Sequence, residues 1–156
     1  MKTSAKVALL TVLVAIPAFL LGNGAPGGAW WKSVWPWTQS HGDPPANLLP
    51  FFLFLAVVEA VSLGLAISFI VWGWPAMKRL SGGRSGLATA MYVSATWLLG
   101  NWWMHDNLHQ VNGFDFTGLL AIEYLFHVTL IAAGAVLCYG LATSALDPAG
   151  PSPSAD

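Results

Sequence analysis

Long apolar stretches alternate with short polar or glycine- and proline-rich connections along this chain. The stretches cover about 6–22, 48–74, 86–103 and 116–145, the third continuing as a predicted helix to about 109. A helix needs roughly 20 apolar residues to cross the hydrocarbon of a bilayer. The second and fourth stretches exceed that length, and the first and third are near its lower limit. Open sheet edges are excluded from lipid, so each stretch reads as a helix. The predicted fold is all-α, an integral membrane four-helix bundle in a single domain over 1–146. The Pro-, Ser- and Ala-rich tail 147–156 reads as disordered.

The first stretch has a rival reading. Lys2 and Lys6 precede its apolar core, and the small residues Gly27, Gly28 and Ala29 follow it, as in a signal peptide. A retained helix, kinked at Pro17, is preferred. Membrane helices tolerate such a proline.

Basic residues orient the helices. Lys2 and Lys6 precede the first, and Lys78, Arg79 and Arg84 lie between the second and third. Only Lys32 falls on the other side. The positive-inside rule then puts both termini in the cytoplasm. The loops that contain His41 and residues 105–115 face outward. The turn from Lys78 to Arg84 meets anionic headgroups. Trp30, Trp31, Trp35, Trp37, Trp102 and Trp103 are expected at the outer membrane boundary, and Trp72 and Trp74 at the inner one.

Composition supports this picture. The 156 residues are 56% hydrophobic and 8% charged, against about 25% charged in soluble domains. A net charge of −1 argues against nucleic-acid binding. The lone Cys138 offers no intrachain disulfide and reads as a buried structural thiol.

Against that apolar background a few ionisable groups stand out. Glu59, Glu123 and His127 lie inside apolar runs. A charge at that depth costs at least ~2.5–3.5 kcal/mol unless it is paired, neutralised or bound. Glu123 and His127 are four residues apart, as are Asn101, His105 and His109, so each set shares one helix face. Asp106 flanks the second set. Counting 1.5 Å per residue from the expected membrane boundaries puts Glu123 ~10 Å deep, and Glu59 and His127 ~15–16 Å deep. His105 falls at the surface. The expectation is therefore two layers: an outer mouth of His105, Asp106 and His109, and an inner site of Glu59, Glu123 and His127 below Asn101. His41, beside Asp43, reads as a solvated loop residue.

Carboxylate and imidazole suit copper, iron, manganese or zinc. Facing helices in bundles build such sites, although Glu123-x-x-x-His127 is not the Glu-x-x-His spacing of di-iron proteins. A mononuclear metal site within a larger membrane redox complex is the leading expectation. Haem b between two histidines is less favoured, because it leaves both glutamates unexplained. The alternatives are a proton- or cation-relay component and a non-catalytic accessory subunit. The ridge Ala56, Ala60, Gly64, Ser68 fits close packing either within the chain or against a partner subunit or second copy.

Overall fold

The computed structural model describes residues 2–22, 28–37 and 46–146. The described residues are helical throughout, with no strand. Helix α1 spans Thr3–Leu21. A 3-10 turn at Gly28–Trp30 leads into the short α2, Trp31–Val34. Helix α3 spans Leu49–Trp72 and α4 spans Trp74–Leu80. Helix α5 runs over Ser85–Asn112. After a tight turn, α6 covers Phe116–Ile122, a π-helical turn covers Glu123–Val128, and α7 covers Thr129–Leu146. His41, Asp43 and the tail 147–156 lie outside the described residues.

Three helical stretches are long and apolar enough to cross a membrane: Thr3–Leu21, Leu49–Trp72 and Phe116–Leu146. Helix α5 has the length, 28 residues, but its C-terminal half carries Asn101, His105, Asp106, Asn107 and His109 and is too polar to qualify on composition. Large apolar side chains cover the outside. Phe51, Phe54, Leu13 and Ile131 are all exposed. An apolar exterior of this extent suits lipid rather than water.

Packing is mainly sequential, α1 on α3, α3 on α5 and α5 on α7. Small residues set the first contact. A Cβ on Gly64 would stand 2.4 Å from the Thr11 carbonyl oxygen, so only glycine permits this approach of the two backbones. Ala60 and Ser68 are buried beside it. The Ser68 hydroxyl bonds Thr11 Oγ1 at 3.0 Å and the Val7 carbonyl at 3.2 Å. The small-residue ridge is thus occupied by α1 of the same chain.

The second and third contacts follow similar logic. Ser62 Oγ donates to the Leu99 carbonyl at 2.6 Å, which ties α3 to α5. Trp97 Nε1 on α5 donates to Thr129 Oγ1 on α7 at 2.9 Å. Gly140 on α7 packs against the Met91 side chain.

Several tryptophans depart from the expected boundary positions. Trp31 and Trp35 are buried and form a core with Val111, Ile122 and Phe126. Trp31 Nε1 donates to the Leu21 carbonyl at 2.9 Å, and Trp35 Nε1 to Asn112 Oδ1 at 3.0 Å. Trp103 reaches the Ala18 carbonyl at 3.0 Å. These rings fasten the segment after α1 onto the end of α5. Burying a tryptophan is favourable when its N–H finds an acceptor, and all three do. Trp30 and Trp102 remain exposed. Cys138 is exposed on α7 rather than buried as expected, because α7 packs chiefly through its α5-facing side.

The turn between α5 and α6 controls the register of the site. Gly113 sits at φ 65° and closes α5, its N–H bonded to the His109 carbonyl at 3.3 Å. A positive φ there favours glycine. Asp115 Oδ1 then accepts from the Gly118 N–H at 2.8 Å and caps α6.

Candidate metal centre

Helix α5 continues unbroken past the expected membrane boundary to Asn112, and only three residues separate it from α6. His105 therefore lies eight residues before Gly113, and His127 fourteen after it. Their depths below the turn differ by only ~6–9 Å at 1.5 Å per residue. The two-layer expectation placed them ~16 Å apart in depth. The structure instead brings them side by side. The His105 and His127 ring centroids are 4.8 Å apart, those of His105 and His109 are 4.5 Å apart, and those of His109 and His127 are 6.3 Å apart.

One nitrogen from each ring belongs to a group whose atoms all lie within 4.8 Å of one another. This group of three could hold a metal ion. A tetrahedral ion with metal–nitrogen bonds of about 2.0–2.1 Å needs nitrogens roughly 3.3 Å apart.

The hydrogen bonds around the group suit coordination. Glu123 Oε2 pairs with His127 Nδ1. A carboxylate on one imidazole nitrogen fixes the proton there and leaves Nε2 with its lone pair free. His105 Nε2 is buried without a hydrogen-bond partner, as is Asn101 Oδ1. Buried polar atoms are normally satisfied, so the His105 nitrogen suits an ion or a water at this place. Phe126, stacked on Trp97 at 5.8 Å, lies against His105 at 5.4 Å. Trp102 meets the same imidazole edge-on at 5.9 Å. The rings restrict how far His105 turns.

Glu123 and His127 both fall in the π-helical turn. Such turns are rare, and they occur most often at functional sites. His127, within this turn, lies against His105 on α5. Nothing in the local sequence marks the turn, so periodicity misses it.

The remaining candidates fall elsewhere. Glu59 on α3 is a near neighbour of Asp106 on α5. Asp106 Oδ2 accepts from Gln110 Nε2. Glu59 is not one of the residues of the imidazole group. Asp106 neighbours both Glu59 and His109. Asn101 Nδ2 donates to the carbonyls of Trp97 at 2.6 Å and Leu98 at 3.3 Å in its own helix.

The chain matches no protein-family model, no curated protein and no solved structure. Its functional reading therefore rests on the geometry.

Proposed function

We propose that this protein is an integral membrane metalloprotein in which His105, His109 and His127 bind one transition-metal ion. Glu123 orients His127. The observation that carries the reading is the convergence of three imidazole nitrogens from two separate helices within 4.8 Å. The π-helical turn and the unpartnered His105 Nε2 support it. Three neutral imidazoles suit copper, iron or zinc, and they disfavour magnesium and calcium, which take oxygen ligands. Haem b is less favoured, because His105 and His127 rings 4.8 Å apart leave no room for a porphyrin between them.

The membrane arrangement belongs to the same proposal. Helix α5 is the fourth crossing. It is shielded by α3 on one side and α7 on the other, which accommodates its polar outer half. The four crossings form a bundle with both termini in the cytoplasm, and the metal site lies toward the outer side. The chain serves as a subunit of a larger redox assembly. The half-exposed Glu123 and His127 side chains support a partner on that side, since polar groups at membrane depth seek cover.

Elemental analysis of the detergent-purified protein tests the metal reading. About one copper, iron or zinc per chain is expected, lost in His105→Ala and in His127→Ala. Metal-free wild-type protein that also takes up none of these ions on reconstitution would overturn it.

A further inference from the structure

Three imidazoles do not complete the shell of a four-coordinate ion, which takes one more donor. The nearby acidic groups are engaged. Glu123 holds His127 Nδ1, and Asp106 accepts from Gln110 Nε2. Among the described residues, the two buried side-chain polar atoms without a hydrogen-bond partner are His105 Nε2 and Asn101 Oδ1. They stand one turn apart on the same stripe of α5. Asn101 is wholly buried. Its amide nitrogen is spent on the Trp97 and Leu98 carbonyls, so its oxygen is the end in need of a donor. Buried water, which typically makes two to four hydrogen bonds, is the usual remedy for such an atom.

Access to the group is one-sided. Asn101 and His105 Nε2 close the α5 side, while the Glu123 and His127 side chains are each 41% exposed. The exposed edge of the group is therefore the one formed by Glu123 and His127.

Building on the metal-site reading, we propose that the fourth position takes a small exchangeable donor, a water, whose hydrogen bond goes to Asn101 Oδ1. The site is then an open one that exchanges small ligands, rather than a closed structural one. Asn101 sets the preference. It accepts from water, but it offers nothing to an anion that lacks a proton.

The full chain in detergent, loaded with Cu(II), tests this by titration with azide. Metal content is measured first, and failure to bind the ion overturns both readings together. With one ion bound, azide is expected to produce a saturable charge-transfer band. An unchanged spectrum at high azide, with the metal retained, shows a closed shell. It overturns this inference and leaves the metal site standing. Asn101→Leu is expected to keep its metal and bind azide about 3- to 10-fold more tightly, because water loses its acceptor while azide loses nothing. Asn101→Ala serves equally where the leucine variant does not fold. Azide binding as in the wild type in the folded variant removes Asn101 from the site.

Discussion

Replacing Glu123 by glutamine separates two roles for this residue that the sequence alone could not distinguish. In the structure its carboxylate pairs with His127 Nδ1. Glutamine keeps an acceptor oxygen there and removes the charge. Charge-assisted hydrogen bonds contribute about 1.5–3 kcal/mol, and neutral ones about 0.5–1.5 kcal/mol. The difference is about 1–2 kcal/mol before screening. Both side chains are 41% exposed, so the lower end of that range applies. About 1 kcal/mol corresponds to a five-fold weaker metal affinity, at 1.4 kcal/mol per factor of ten. Glu123→Ala removes the acceptor entirely and should cost between 10- and 100-fold. Competition against a chromophoric chelator gives the affinities. Hyperfine structure in the Cu(II) EPR spectrum should show that nitrogen coordination is retained in both variants. His127→Ala, by contrast, loses a ligand and changes the spectrum. The reasoning fails if Glu123→Gln is as damaging as His127→Ala, which would make Glu123 itself a ligand. It fails equally if Glu123→Ala binds metal like the wild type.

Three further expectations follow from the same geometry. Gly64→Val should destabilise the protein by about 2–4 kcal/mol, through overpacking against the Thr11 backbone and loss of the Thr11–Ser68 hydrogen bond; a denaturation midpoint in detergent equal to that of the wild type would contradict the assigned contact. Trp35→Phe deprives Asn112 Oδ1 of its donor and should cost about 1–3 kcal/mol, read as a lower midpoint, whereas the exposed Trp102 changed to Phe should shift it little. Acidification should release the metal. Imidazoles bind ions only when neutral, so protons compete with the metal and affinity falls as pH drops. Metal retention unchanged after dialysis at pH 4 would argue against a three-histidine shell.

Much of the architecture follows from local pattern. Runs of apolar residues of about bilayer length leave the backbone no option but helix, and the observed helices begin and end within a few residues of the expected ones. Candidate chemistry was legible too, because a carboxylate or imidazole in a greasy run is costly and therefore conspicuous. Asp106 and Glu123 make polar contacts in the structure, and the three histidines converge. Their grouping was not legible. It depended on where α5 stops, and the sequence offers no membrane boundary inside a helix that is polar over its last three turns. Trp31 and Trp35 misled for a related reason. A tryptophan near a membrane edge is normal, and only the Leu21 and Asn112 acceptors explain why these two fold inward.

The amino-acid pattern by itself determined the helices, their apolar exterior and the short roll of groups able to bind an ion. Tertiary structure decided which of them meet. The close α1–α3 approach at Gly64, the three-residue turn after Gly113 and the π-helical turn at Glu123–Val128 set the relative height and rotation of helices that lie far apart in sequence. Coordination needs atoms from two helices to agree within about an ångström, and helical periodicity fixes positions only along one of them.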